Sequence, residues 1–362
     1  MRIIIRADAS ITIGSGHIMR CLTLAEELQN RGDEVHFVCR ELHGHLGDLI
    51  KEKKIQLSLL PTPDDKRNPA DNSALVQLTG VSQKQDAEET IKAIGDSRID
   101  WLIVDHYGID AQWHGKLRNS SKKILVIDDL ANRMLDCDLL LDQTYGREES
   151  DYFQFLPRYC KKLMGSQYAL LRPQFSQLRQ DAMEKRKKLT CVSKILVSMG
   201  GMDPDNISSI VIDGLSKVNW LNLVEVDVVL GEKAPYFGSL RNKPETQGIK
   251  FNFLSNVSNM AELMLDADIA IGAGGTTTWE RCCLGLPALL TINAENQSTI
   301  IKNLSTSGAI LNLGWHFDLT PIKISSLIEK LLKSIKSIKQ MSDKCFHVCD
   351  GAGVKRVASN LI

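Results

Sequence analysis

Short apolar runs alternate along the chain with stretches whose apolar positions recur three and four residues apart. Runs such as Ile3-Ile4-Ile5 do not alternate with polar residues, which is the pattern of strands buried on both faces of a parallel sheet. These runs predict strands at Arg2 to Arg6, Glu34 to Cys39, Leu57 to Leu60, Trp101 to Asp105, Ile124 to Asp128 and Leu139 to Asp142. A helix is predicted from Gly16 to Arg31, with Ile18, Cys21, Leu22, Leu24, Ala25 and Leu28 on one face and Gly32 as its stop. The second half repeats this opening with a strand at Lys194 to Ser198, a turn at Gly200-Gly201 and a helix from Asn206 to Leu215. Later strands fit Val224 to Leu230, Lys250 to Phe253, Asp268 to Ile271, Ala288 to Ile292 and Ala309 to Leu313. Helices fit near Val257 to Leu265, Thr276 to Leu284 and Ser298 to Ser307.

Alternation fades between Tyr145 and Lys188, and Asp181 to Lys188 is strongly charged, so one domain is expected to end near residue 170. The expected fold class is α/β, with two Rossmann-like domains, 1–170 and 171–362, facing across a cleft. The last helix is a candidate for packing back on the N-terminal domain. In such sheets ligands bind beyond the carboxyl ends of the strands. The polar segment Lys66 to Asp86 reads either as a loop or lid over the cleft or as a plain surface connection.

Composition narrows the partners. Lys plus Arg and Asp plus Glu number 44 each, which removes the electrostatic case for nucleic acid and favours a small-molecule ligand. Neither a signal-peptide core nor an uninterrupted spanning segment is present, so no membrane association and a cytoplasmic location are expected. The nine cysteines include no C-x-x-C pair, and Cys282-Cys283 sits in a helical pattern as small apolar residues, so reduced thiols are expected. His43-x-His45 and Asp128-Asp129 have poor ligand spacing, and neither a metal nor a cofactor is expected.

Candidate chemistry gathers at strand ends. In Ile13-Gly14-Ser15-Gly16-His17, Gly14 and Gly16 would let backbone N–H groups approach an anion at a helix start. The helix dipole would oppose protonation of His17, leaving a base; the alternative is a capping or core histidine. A dinucleotide fingerprint is incomplete, with Met19 at its third glycine position and Glu41 as the one ribose acid. In Gly272-Ala-Gly274-Gly275-Thr276-Thr277, the N–H groups of Gly274 to Thr277 could hold a diphosphate, and Glu280 could accept from ribose hydroxyls. Thr277-x-x-Glu280 also reads as a capping box. Asn296 and Gln297 follow the next strand and could reach a sugar or form an ordinary polar loop. Asp105-His106-Tyr107 ends a strand with a carboxylate, an imidazole and a phenol, suited to chemistry or to helix capping. Neither a nucleophile elbow nor a Walker sequence occurs.

The phrases Arg6-Ala-Asp8-Ala-Ser10, Ile13-Gly-Ser-Gly-His17-Ile-Met-Arg20-Cys21-Leu22, Asp105-His-Tyr-Gly108 and Ala294-Glu-Asn-Gln297 resemble the PseG family of UDP-sugar hydrolases. The segment Gly272 to Pro287 resembles the nucleotide signature of MurG-type glycosyltransferases, and the resemblance extends to about residue 310. It implies a GT-B fold and metal-independent hydrolysis of UDP-2,4-diacetamido-2,4,6-trideoxy-β-L-altropyranose at the anomeric carbon. Inversion is implied, with the free sugar entering pseudaminic acid, a nonulosonic acid of bacterial surface glycans. By position, it makes His17 the base or water-positioning residue and places Tyr107 and Asn296 among active-site positions. Asp8, Asp105, Gly200 and Gly201 become candidates for positioning substrate. The C-terminal domain is expected to hold UDP, and a UDP-sugar is the only partner expected of a monomer. A GT-B glycosyltransferase using an acceptor hydroxyl is the alternative. A nicotinamide-dependent dehydrogenase and a catalytically silent sugar-nucleotide sensor are further readings.

Overall fold

The computed structural model describes residues 1–63, 73–95, 98–243 and 247–361. The chain divides into two compact units, one made of Met1–Leu171 with Ala352–Ile362 and the other of Arg172–Gly351. The first unit holds β1 (Arg2–Ala7), β2 (Glu34–Arg40), β3 (Gln56–Leu60), β4 (Ile99–Asp105), β5 (Ser121–Ile127), β6 (Leu139–Asp142) and β7 (Lys161–Met164). The second holds β8 (Lys194–Ser198), β9 (Val224–Val229), β10 (Ile249–Leu254), β11 (Ile269–Ala273), β12 (Ala288–Ile292) and β13 (Ile310–Trp315). Every named pairing is parallel, in the orders β3-β2-β1-β4-β5-β6-β7 and β10-β9-β8-β11-β12-β13. Each order reverses direction once, between β1 and β4 and between β8 and β11. Such a reversal opens a crevice at the strands' carboxyl ends.

Burial on both faces accounts for the unbroken apolar strands. Ile3 and Ile5 pack on one side of the first sheet with Ile18, Leu24 and Leu28, while Ile4 packs on the other with Val38, Leu102 and Trp113. The helix Gly16–Asn30 lays its apolar stripe on the first of these cores and ends where Gly32 takes φ of 88°. Val354, Val357 and Ala358 of the helix Gly353–Ala358, with Leu361 beyond it, belong to the same core. In the second unit Ile195, Val197, Val226, Val228, Ile269 and Ile271 share one core with Val211, Leu215, Ile324 and Ile328 from the covering helices.

Two expectations need correction. β7 is absent from the sequence pattern because a short edge strand carrying Lys161 and Lys162 shows little apolar alternation. The expected loop or lid from Lys66 to Asp86 is partly helical, with Ala74–Thr79 and the start of Gln83–Ile94 inside it. Residues 66–72 of that segment lie outside the described residues. Among the described residues no helix is long and apolar enough to cross a membrane.

Candidate active site

The first crevice is built from the end of β1 and the end of β4, which are adjacent strands with Ala7 paired to Asp105. After β1 the chain turns tightly. The Gly14 N–H donates to the Ser10 carbonyl at 2.8 Å, and the Ile13 N–H donates to Ser10 Oγ at 2.9 Å. Gly14 therefore serves the turn through its φ of 80°, and its N–H is engaged within that turn. Gly16 opens the helix, and a Cβ on it would meet nothing within 4 Å.

The helix then presents His17 and Arg20, three residues apart on one face, to Asp105. Asp105 Oδ1 lies 2.6 Å from His17 Nδ1 and accepts from Arg20 Nη2 at 2.6 Å, while Oδ2 accepts from Arg20 Nε at 2.6 Å. Burial works to raise the Asp105 pKa, but the Arg20 guanidinium and His17 overcome it and hold the carboxyl well below the usual range. An ionised carboxylate can only accept, so the proton sits on Nδ1 and Nε2 becomes the ring's acceptor. Nε2 makes no hydrogen bond among the described residues. The helix dipole expected to govern His17 is thus joined by a buried carboxylate and a guanidinium, which dominate its surroundings.

Tyr107 stands edge-on to His17, with ring centroids 4.6 Å apart and planes at 80°. Its hydroxyl donates to Asp129 Oδ2 at 3.1 Å, and Arg20 Nη1 lies 3.7 Å from that same oxygen. Burial first, then Asp129, push the Tyr107 pKa far up, so this phenol keeps its proton. Arg20 and Asp129 are site residues that the sequence does not single out. The i+3 spacing of Arg20 from His17 is the available signal for it, and Asp129 stands in the sequence only as half of a poor metal pair.

Asp105 is fully buried, with His17 and Arg20 on its two oxygens. Asp8 is fully buried as well, with Oδ1 accepting from Arg6 Nη1 and from the Arg40 N–H, both at 2.6 Å. Its Oδ2 lies 3.4 Å from His106 Nε2. Asp8 belongs to a charge network that continues through Asp86, Arg40 and Glu89. His106 accepts the Gly108 N–H on Nδ1, and burial pushes its pKa down to about 4. At the ends of β5 and β6, the Tyr152 hydroxyl lies 2.9 Å from both Asp128 Oδ2 and Asp142 Oδ2. Arg147 Nε also donates to Asp142 Oδ2 at 2.9 Å, yet burial raises the Asp142 pKa to about 6.

The second crevice is glycine-lined. Gly200, with φ of 101°, follows β8, and a Cβ on Gly200 or Gly201 would meet nothing within 4 Å. The Gly201 carbonyl accepts the Gly231 N–H at 2.7 Å. The adjacent helix Ile207–Leu215 has its first N–H groups taken by Asp203. After β11 the Gly274 N–H donates to the Thr291 carbonyl at 3.2 Å, so Gly274 is removed from the expected phosphate donors. A Cβ there would sit 2.5 Å from Ile301 Cδ1 and 3.4 Å from Gln297 Cβ, which explains the glycine by close approach. Gly275 has open space in the Cβ direction, and in the helix that Thr276 and Thr277 begin the Thr278 and Trp279 N–H groups already donate to the Gly275 and Thr276 carbonyls at 2.9 and 3.1 Å.

Glu280 does not form the capping box: the helix is capped at Thr276 with no side-chain bond, and Glu280 Oε1 instead accepts from Arg172 Nη2 at 3.3 Å. Burial raises the Glu280 pKa against the pull of Arg172. Gln297 Oε1 accepts the Asn293 N–H at 3.0 Å, and Asn296 lies half-buried in the first turn of the helix Glu295–Ser307. His17, Asp105 and Tyr107 thus form one cluster in the first unit. Asn296, Gln297, Glu280 and the glycine turns belong to the second.

Residues 195–360 match the glycosyltransferase family 28 C-terminal domain. The chain is 29% identical over 224 residues to the UDP-2,4-diacetamido-2,4,6-trideoxy-beta-L-altropyranose hydrolase of Campylobacter jejuni, covering 62% of this chain and 69% of that protein. It is 26% identical over 317 residues to the spore coat polysaccharide biosynthesis protein SpsG of Bacillus subtilis, covering 87% of this chain and 84% of SpsG. An uncharacterized protein of Methanocaldococcus jannaschii is 28% identical over 82% of this chain, a match that spans only 57% of that longer protein. Among solved structures, MurG of Acinetobacter baumannii superimposes with a TM-score of 0.69 over 99% of this chain and 98% of its own, at 15% identity. The fold is two parallel-sheet α/β domains with GT-B glycosyltransferases as structural neighbours.

Proposed function

We propose that the protein hydrolyses a UDP-sugar, with UDP-2,4-diacetamido-2,4,6-trideoxy-β-L-altropyranose as its substrate. The observation that carries this reading is the His17 ring held by Asp105 through Nδ1, which leaves Nε2 as a base beside Tyr107. In the proposed step water oxygen bonds to the anomeric carbon and gives its proton to His17 Nε2. The bond between that carbon and the diphosphate oxygen breaks, its electron pair leaving with UDP, and the configuration inverts. Asp105 stabilises the imidazolium that forms, and the proton then passes to solvent. The C-terminal unit holds the UDP through the turn after β11, with Glu280 directed to the ribose and Asn296 to the sugar. The similarity to the Campylobacter hydrolase supports this substrate class. Neither a metal nor a redox cofactor takes part.

The match to a glycosyltransferase domain favours a second reading, in which an acceptor hydroxyl replaces water. Incubating the protein with UDP-sugars in ¹⁸O-water, with no acceptor and with EDTA present, tests both. Hydrolysis with label in the released sugar is the expected result. Label in UDP would place the attack on phosphorus and overturn attack at the anomeric carbon, and turnover only after an acceptor is added would favour the transferase.

A further inference from the structure

Arg281 is 2% exposed and sits beneath the turn that follows β11. Its Nη1 donates to the Ala273 carbonyl at 3.0 Å, and its Nη2 lies 3.5 Å from the Ser198 carbonyl, so the guanidinium spans the carboxyl ends of β11 and β8. Its Nε is buried without a partner. A Cβ on Gly272 would lie 2.3 Å from Nη2, so the guanidinium packs directly against the strand that leads into the turn. The deeply buried arginines of the first unit are neutralised by carboxylates: Arg6 by Asp8 and Asp86, Arg20 by Asp105, and Arg40 by Asp86 and Glu89. Among the described residues no carboxylate forms an ion pair with Arg281; its neighbour Glu280 attracts it through space but is bonded to Arg172.

Arg186 makes an instructive contrast. It is also buried without a carboxylate in hydrogen-bond contact, but its nitrogens donate to Met264 and Ala267 at the end of the helix Met260–Asp266, where carbonyls collect partial negative charge and a cation is expected. Arg281 has no helix end to neutralise. It stands instead at the strand reversal, on the Ala273 and Ser198 carbonyls that end β11 and β8 just before the glycine turns. A desolvated cation with two carbonyl contacts is costly unless an anion completes its surroundings; burial lowers the pKa of Arg281 to about 10, as it does that of Arg186, so the two differ in what their carbonyl partners belong to.

We infer that Arg281 is a positioning residue for the diphosphate, a buried cation that acts through the turn after β11 and makes this unit prefer a nucleoside diphosphate to the neutral nucleoside. The inference rests on the nucleotide-binding role proposed above for this unit. Its charge attracts the diphosphate from behind the backbone, and its grip on the Ala273 carbonyl fixes the turn's orientation.

The test compares affinities for UDP and uridine by calorimetry in the full-length wild type and in Arg281→Met, Arg281→Gln and Arg281→Lys. Gln keeps a donor for the Ala273 carbonyl should Met prevent folding. The neutral variants are expected to lose about tenfold of the UDP preference while uridine affinity stays within about twofold, and Lys is expected to restore most of it. A wild-type UDP-to-uridine ratio in a folded neutral variant overturns the inference. So does failure of both neutral variants to fold while Lys folds, which would assign the charge to stability alone. If the wild type itself binds neither compound, the nucleotide-binding reading fails first, a result distinguishable from failure of Arg281.

Discussion

Asp105→Asn probes how the first crevice works, because the substitution keeps the shape of the side chain and removes its charge. The carboxylate accepts from Arg20 Nε and Nη2 and from His17 Nδ1, each at 2.6 Å. Asparagine offers one acceptor oxygen and one NH₂ in their place. If the oxygen faces His17, the NH₂ meets the Arg20 Nε–H, donor against donor. If the amide flips, the NH₂ faces Nδ1 and drives the imidazole proton to Nε2, which removes the base. In both orientations Arg20, at 7% exposure, keeps only Asp129 at 3.7 Å as a counter-charge. Breaking one side of a buried pair costs about 3–5 kcal/mol, and that is the expected loss in urea-induced unfolding of Asp105→Asn.

Turnover, read as UDP released from UDP-sugar, should fall about 10²–10⁴-fold in His17→Ala and to within about tenfold of that level in Asp105→Asn. The two residues act as one base, so the double variant should be no slower than the worse single variant by more than a few-fold. His17→Ala should leave UDP affinity within a few-fold and cost far less stability than Asp105→Asn. Losses that multiply in the double variant, or an Asp105→Asn protein of normal activity, would show that Asp105 does not orient His17.

The Asp142 carboxyl, raised by burial to about 6 from an ordinary value near 3.8, contributes stability that is complete below pH 4 and lost as the pH rises through 6. Asp142→Asn should therefore flatten the pH dependence of unfolding, removing a loss of about 3 kcal/mol between pH 3 and 7; an unchanged slope would refute the shift. Glu280→Ala should weaken UDP binding more than it slows saturated turnover, since a ribose contact stabilises ground and transition states alike; unchanged calorimetric affinity with a lower melting temperature would assign Glu280 to its pairing with Arg172. Gly272→Ala places a Cβ 2.3 Å from Arg281 and 2.7 Å from the Ser198 carbonyl and should destabilise by roughly 1–3 kcal/mol, whereas Gly275→Ala enters open space and should lose UDP affinity without loss of stability. Equal melting temperatures for these two variants would contradict that packing.

The strands were legible because a parallel sheet covered on both faces demands unbroken apolar runs, so Ile3-Ile4-Ile5 and Ala288 to Ile292 declare themselves without any partner in view. β7 escaped because its neighbour β6 supplies the pairing, and an edge position tolerates Lys161 and Lys162. At the site, glycines were visible as a pattern but not as roles. The N–H groups of Gly14 and Gly274 are consumed by the Ser10 and Thr291 carbonyls, and only tertiary contacts decide that for Gly274. The same limit hid Asp129 and Arg172, whose partners lie 22 and 108 residues away in the sequence.

One strand order has given the two units different chemistry through what closes each reversal. In the first unit β1 runs into a helix carrying His17 and Arg20, and β4 ends in an acid, so ionisable groups meet where the sheet changes direction. In the second, β8 and β11 both run into glycine turns, and the buried charge beneath them is a cation without a carboxylate. An acid in the position of Asp105 holds a proton on a neighbouring ring. The Arg281 guanidinium instead has no carboxylate bonded to it, since Glu280, the acid that attracts it, is bonded to Arg172. Transplanting a carboxylate beside Arg281, as in Ser198→Asp, should therefore satisfy the cation internally and abolish the preference for a diphosphate over its nucleoside; a preference that survived in the folded variant would mean that the turn's N–H groups alone create it.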